Sequence, residues 1–281
     1  MAIQYKIENI NLLSVENVKI NLKVKIPDVE KTGILVITHG YGEHSGYYED
    51  FSDYFASKGF VTAYYDLRSY GLSEGKRGHV PSFDLFLDDL DNIISYVKGK
   101  FENIPIFLFG HSMGGSIVLN YLLKRNSNNI SKAIISSPWL KLAFEPPRSK
   151  LLLARIGKIL FPSFAIKGEL KIEHLSRDEK FRKRYEHDSL TYDLISPMYY
   201  FEIREAGLWA LSNAKKLKTP ILISHGDDDK VTSMKASKEF CDKAGEMCTF
   251  KKWENGYRHV VFSENDKDKI FEFFYAYLVQ K

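Results

Sequence analysis

Residues 106–119 read IFLFGHSMGGSIVL. The apolar run through Phe109 has the content of a buried strand, and the stretch MGGSIVLNYLLKR that follows has an apolar helical period. Ser112 stands at the junction. A strand that stops just before a serine and a helix that starts just after it make a turn so tight that the residues two away must be nearly free of side chain. Gly110 and Gly114 meet that demand. The same G-x-S-x-G pattern recurs as Gly71-Leu72-Ser73-Glu74-Gly75, but there the next helical pattern waits until about residue 82, beyond GKRGHVP. Ser112 is therefore read as a nucleophile and Ser73 as a loop residue.

Working outward, short β-branched and aromatic runs recur at 33–38 (GILVIT), 60–66 (FVTAYYD), 104–109 (IPIFLF), 132–136 (KAIIS) and 219–224 (TPILIS). Most are apolar throughout, as strands covered on both faces are. Helical patterns lie between them; in FDLFLDDLDNIISYVKGK one stripe carries Phe83, Phe86, Leu87, Leu90, Ile93, Ile94 and Val97. Alternating strand and helix predicts an α/β fold with a mostly parallel sheet flanked by helices. The first 26 or so residues alternate without a helical signal and predict antiparallel strands. After Pro138 the rhythm breaks until TPILISHG. The expected division is a core over 1–138, a mainly helical cap over 139–206 and the rest of the core over 207–281, because an insertion of that length exceeds an ordinary loop.

The 281 residues are 27% charged and 44% hydrophobic with a formal charge of +4, an ordinary globular mix without a basic cluster, so no nucleic-acid partner is expected. MAIQYKIENINLLSVENVKI has no signal-peptide apolar core, and no run approaches the length of a membrane span. Cys241 and Cys248 fit neither a disulfide framework nor a metal knuckle, so two free thiols in a cytoplasmic protein are expected.

A serine hydroxyl needs a base to become a nucleophile at neutral pH. On a strand–turn–helix scaffold of this kind the partners follow in the order Ser, Asp, His. Of histidines 39, 44, 79, 111, 174, 187, 225 and 259, only His259 follows the acid-bearing strand end ILISHGDDDKV. Asp227, Asp228 and Asp229 are all within reach along the chain, and turns after strands attract Asp for its local hydrogen bonds. A tetrahedral acyl intermediate also needs donors for its oxyanion. The N–H of Met113, next to the nucleophile, is one. The other is the N–H of Tyr41, in the Gly-rich turn His39-Gly40-Tyr41-Gly42 after an early strand.

THGYGEHSGYY, DLRSYGLSEGKRGHV, GHSMGGS, SSPWL, HGDDDKVTS and YRHVVFSE stand in the order and rough spacing of one family. The chain resembles the monoacylglycerol lipase/lysophospholipase group of α/β hydrolases, often described as serine aminopeptidase-like. The resemblance covers about 30–140 and 207–279; within the insertion only LSRDEKF and HDSLTYD share in it. It implies Asp229 as the triad acid, through the family pattern H-G-x-x-D, and Tyr41 and Met113 as oxyanion donors. It also places Ser73 in a structural loop, with Ser69 where the family has Gly. Tyr47 and Trp139 stand where the animal monoacylglycerol lipases carry an Arg and a Glu near the glycerol group, which puts a glycerol-ester preference in question.

These residues predict a serine hydrolase of carboxylic esters, on lipids with a single acyl chain, needing no cofactor or metal. Leu151, Leu152, Leu153, Ile156, Ile159, Leu160, Phe161 and Phe164 of the insertion are expected to line an acyl tunnel; Leu153 and Ile156, with Tyr47 and Trp139, are the expected substrate contacts. A lipid substrate also implies transient contact with a membrane surface; the oligomeric state is left open. A peptidase or amidase, or a non-catalytic binding protein on the same fold, are the alternatives.

Overall fold

The computed structural model describes residues 4–280. The chain runs β1 (Tyr5–Leu13), β2 (Lys19–Pro27), β3 (Gly33–Thr38), α1 (Glu49–Ser57), β4 (Phe60–Tyr65), α2 (Asp84–Lys100), β5 (Ile106–His111), α3 (Met113–Lys124) and β6 (Ile130–Ser136). It continues through α4 (Arg148–Leu160), β7 (Ile166–Lys167), α5 (Glu179–His187), β8 (Leu194–Ile195), α6 (Pro197–Asn213), β9 (Ile221–Gly226), α7 (Met234–Ala244), β10 (Cys248–Trp253) and α8 (Lys267–Val279). Eight strands form one sheet in the order β1-β2-β4-β3-β5-β6-β9-β10. The β1–β2 and β2–β4 pairs are antiparallel, and from β4 to β10 every pair is parallel.

Strands β3, β4, β5 and β9 are buried along their whole length, which is why they read as unbroken apolar runs. Their side chains alternate between two cores. Ile34, Val36, Ile106 and Leu108 pack under α2, α3, α6 and α7, whereas Leu35, Ile37, Phe107 and Phe109 pack under α1 and α8. Every residue of the α2 stripe is buried, each such side chain contributing about 1.5–3 kcal/mol. The sheet therefore presents the carboxyl ends of β3, β5, β6 and β9 along one rim, and the site lies there.

Three expectations need correction. The division at 206/207 falls inside α6, which is one continuous helix. It cannot break there because it lies on the core: Asn120 Nδ2 donates to Ala206 O at 3.2 Å, and a Cβ on Gly207 would come within 2.5 Å of Trp139 O. Strand β10, CTFKKW, has no counterpart among the predicted strands; it pairs with β9 at the sheet edge. Cys241 and Cys248 are joined by a disulfide, not free: the turn after α7 brings their Cα atoms to 4.9 Å. That pairing removes the argument from free thiols for a reducing compartment. Among the described residues no helix is long and apolar enough to cross a membrane.

Candidate active site

Ser112 sits between β5 and α3 at φ 54°, ψ −117°, a strained backbone for a residue with a side chain. Its neighbours explain how the strain is held. A Cβ on Gly110 would lie 2.5 Å from Gly114 O, and a Cβ on Gly114 would collide with the carbonyls of Thr38 and His39. The Ser112 N–H donates to Ser136 O at 2.9 Å, and Ser112 O accepts from Trp139 N at 2.9 Å. Ser73, by contrast, is a buried loop residue: its hydroxyl donates to Asp66 O at 2.6 Å and accepts from Asn21 N at 2.8 Å. Ser69 holds the turn at φ 71°, where glycine would be at ease.

The structure brings His259 and Asp229 to the same rim. His259 Nδ1 donates to Asp229 Oδ2 at 2.8 Å, which leaves Nε2 for a serine proton. Asp229 Oδ1 accepts from Val231 N at 2.7 Å and Thr232 N at 3.0 Å, and the Thr232 hydroxyl donates to Oδ2 at 2.9 Å. His225 Nε2 stands 2.9 Å from the same Oδ2, oriented by Ser237 Oγ on its other nitrogen. Burial alone would raise the Asp229 carboxyl, but His259, hydrogen-bonded to it, and the close His225 ring outweigh burial and hold Asp229 well below the usual carboxylate range. Asp227 and Asp228 have other duties. Asp227 accepts from Asn255 N and Gly256 N, and Asp228 pairs with Lys230 at 2.5 Å. His111 lies 4.7 Å from the His259 ring between centroids; burial and the neighbouring His259 hold it well below the usual histidine range, so it stays neutral. No Ser112–His259 hydrogen bond is formed among the described residues; catalytic hydrogen bonds are often long until substrate binds.

Neither Tyr41 N–H nor Met113 N–H has a protein acceptor among the described residues. Met113 is the first residue of α3, so its amide is one that an α-helix cannot satisfy. The Tyr41 loop lies over the elbow: a Cβ on Gly40 would come 3.0 Å from Ser112 Cβ. Two free donors beside a serine at an elbow can stabilise negative charge on a carbonyl oxygen.

Ser112 and His259 open on a cavity of about 500 Å³, in the size range of small-molecule sites. Apolar side chains dominate its wall, among them Trp139, Leu142, Leu151, Leu153, Leu170, Leu175, Ile195 and Val260. Of the expected substrate contacts, Trp139 and Leu153 are in this wall, Leu153 at its open edge and largely exposed, and Tyr47 and Ile156 are not. Tyr47 is buried to one side, its hydroxyl on Asp188 at 3.3 Å and Thr191 at 3.2 Å. Ile156 falls on the far face of α4, because Lys150, Leu151, Leu153 and Ala154 occupy the near one. For the same reason Leu152, Ile159 and Leu160, and beyond the helix Phe161 and Phe164, point to solvent instead of lining a tunnel. Glu43, which the motif reading did not single out, is in the wall; it accepts from Gly40 N at 2.5 Å and Tyr48 Oη at 2.6 Å. Among the described residues no cluster of His, Cys, Asp and Glu is gathered as a metal site.

The model of the serine aminopeptidase S33 family matches residues 29–266. An uncharacterised abhydrolase domain-containing protein of Dictyostelium discoideum is 31% identical over 96% of the chain, which spans 29% of that protein's length. A phospholipase of Bacillus subtilis is 29% identical, covering 85% of this chain and 92% of its own. The crystal structure of a Paleococcus ferrophilus monoacylglycerol lipase superposes with a TM-score of 0.82 at 25% identity over 98% of both chains. Elbow, acid, histidine and sheet order thus stand together on a chain that belongs to the serine aminopeptidase S33 family of α/β hydrolases.

Proposed function

We propose that the protein cleaves carboxylic esters of lipids that carry one acyl chain, monoacylglycerols or lysophospholipids, through an acyl-enzyme on Ser112. Its class is that of its relatives, a carboxylic ester hydrolase. In the proposed reaction Ser112 Oγ attacks the ester carbonyl carbon while His259 Nε2 takes the hydroxyl proton. The Tyr41 and Met113 N–H groups receive the oxyanion, and Asp229 holds the His259 tautomer and balances its charge. His259 then gives the proton to the leaving alcohol. A water deprotonated by His259 attacks the acyl-enzyme and releases the fatty acid, returning Ser112.

The observation that carries this reading is the state of the carboxylates around the cavity. A peptidase that recognises an N-terminal ammonium needs a free one. Glu43 is engaged by Gly40 and Tyr48, Asp193 accepts from Tyr41 Oη at 2.8 Å and Leu170 N at 3.1 Å, and Glu169 pairs with Lys150. Most of the remaining wall is apolar, which suits an alkyl chain, and its other charged groups, Lys167, Lys171 and Lys230, are cationic. The segment from 139 to the start of α6 acts as the cap that supplies much of that wall. The outer face of α4, with Leu152, Ile156 and Ile159 among Arg148, Arg155 and Lys158, provides the transient contact with a membrane surface from which such substrates are drawn.

The test is a series of p-nitrophenyl esters from acetate to decanoate beside aminoacyl-p-nitroanilides. We expect kcat/KM to rise with chain length by up to about 0.8 kcal/mol per buried methylene, roughly fourfold each, until the cavity is full. Anilide cleavage that outpaces every ester would replace this reading with the peptidase one. A flat or falling series would remove the acyl pocket.

A further inference from the structure

The loop that carries Tyr41 is held from outside the core. Tyr185 Oη donates to Gly42 O at 2.8 Å, and Arg184 Nη2 donates to Gly46 O at 2.8 Å. Asp188 accepts from His44 Nε2 at 2.9 Å and from the Tyr47 hydroxyl. The last tie differs from these. It joins Tyr41 itself, through its hydroxyl, to Asp193 Oδ1 at 2.8 Å, 152 positions along the chain. Only this tie acts on a residue whose amide is free for an oxyanion.

Asp193 is built in, not a surface acid that happens to be near. Its Oδ2 accepts from Leu170 N at 3.1 Å, and its carbonyl accepts from Gly168 N at 2.9 Å. A Cβ on Gly168 would overlap its carboxylate, so the chain is glycine where Asp193 lies. The Tyr41 ring is fixed as well, edge-on to Trp139 with 6.0 Å between centroids and edge-on to Tyr70 at 6.4 Å. The phenol is therefore a rigid lever with one end on Asp193 and the other on its own peptide plane.

We propose that Asp193 is a positioning residue for the oxyanion hole: by accepting the Tyr41 hydroxyl it fixes the Tyr41 backbone, and so sets where its N–H meets the developing oxyanion. The inference rests on the reading of Tyr41 as an oxyanion donor in ester hydrolysis. Its physical basis is that a donor stabilises the transition state only when held within about half an ångström of its place. Outright removal of one such donor lowers kcat by roughly 10²- to 10³-fold elsewhere, so loosening one should cost less, roughly tenfold. A brace that served only the fold would change stability and leave the ratio of transition-state to ground-state binding untouched.

The experiment uses Tyr41→Phe, Asp193→Ala and the double variant of the full chain, with a p-nitrophenyl ester and a trifluoromethyl ketone that forms a tetrahedral adduct on Ser112. We expect each single variant to lower kcat roughly tenfold with KM within about twofold, and the ketone's affinity to fall by the same factor. The double variant should be no slower than the worse single one, because both remove one hydrogen bond. Tyr41→Phe deletes a single oxygen and keeps the amide, so it decides the matter even where Asp193→Ala does not fold. Wild-type kcat and ketone affinity in Tyr41→Phe, or a change confined to KM, would overturn the proposal. A wild-type protein that neither cleaves esters nor is labelled at Ser112 by a fluorophosphonate would instead overturn the functional reading beneath it.

Discussion

In residues 144–166, Ile159 is 81% exposed and Phe161 65%, with Leu152, Leu160 and Phe164 also open to solvent; in residues 184–193 of the same insertion, Tyr185 is buried. Arg184, Tyr185, Asp188, Thr191 and Asp193 of the second stretch all bond to residues 41–47. The first stretch is tied to the rest mainly by surface contacts, such as Lys158 with Glu202 and Glu205, and Lys76 with Ser163. Surface ion pairs of that kind contribute about 0–1 kcal/mol each. The difference teaches that the insertion is not one mechanical unit. One part is bonded to the loop at residues 41–47. The other presents apolar side chains to solvent and is joined to the rest through the Ile166–Ile195 strand pair, the packing of α4 on α6 and surface ion pairs.

The comparison has meaning only if the chemistry sits where both stretches converge. The largest effect should therefore come from the elbow: Ser112→Ala should lower kcat by roughly 10⁴- to 10⁶-fold on any ester, and Asp229→Asn by roughly 10⁴-fold, while Asp227→Asn and Asp228→Asn change it little. Steady-state rates on p-nitrophenyl butyrate measure all four. Equal losses in the three aspartate variants would detach the acid from the site and take the braced stretch's role with it.

A smaller effect separates the two faces of α4. Leu153→Asn, at the open edge of the cavity wall and 68% exposed, should flatten the rise of kcat/KM with chain length and leave acetate comparatively unaffected. Ile159→Ser, on the outer side, should leave the soluble-ester series unchanged and weaken sedimentation with anionic vesicles several-fold. Circular dichroism must show both variants folded. If Ile159→Ser alters the soluble series as much as Leu153→Asn does, the two faces are not separate.

The smallest effect concerns the floor beneath both stretches. Burial holds His39 down to about 4, against the pull of Asp66, and holds His111 low as well. The unfolded chain then binds protons near pH 6.5 that the folded chain refuses, so stability present above that pH is lost progressively as pH falls toward 4. Each such histidine steepens the loss by up to about 1.4 kcal/mol per pH unit. Glu43, raised chiefly by burial, opposes the trend. Urea midpoints at pH 7.5, 6 and 5 should fall in that order; constant midpoints would mean that these rings are solvated and the floor is open.

The sheet was legible because strands covered on both faces cannot hide their composition; β3, β5 and β9 match the apolar runs closely. Strand β10 was not, because an edge strand can carry Lys251 and Lys252 in its middle. That Ser112 and His259 share one rim is legible from order and local pattern, whereas the pairing of Asp229 with His259 follows only from a family motif, since three adjacent aspartates look alike until their neighbours are known. Apolar periodicity in 148–161 marked a helix but could not say which face meets the cavity, so Ile156 was misplaced. The Tyr41–Asp193 tie left no local trace at all, as no spacing rule spans that distance.

The unbroken course of α6 bears on how such an insertion can be exchanged between relatives. A chimera cut at 206/207 would sever the helix between residues that touch Asn120 and Trp139, and would leave each parent half a packing surface. Ser196 offers a cleaner seam: it caps the helix through Tyr199 N and meets Gly78 by its own N–H at 2.8 Å. Grafting between Ser136 and Ser196 would move both stretches whole but leave residues 41–47 behind, so the recipient's loop would have to offer Tyr185, Asp188 and Asp193 the same partners. The recombinable module is thus shorter than the compositional one, and its far border is a capping residue, not a change in sequence character.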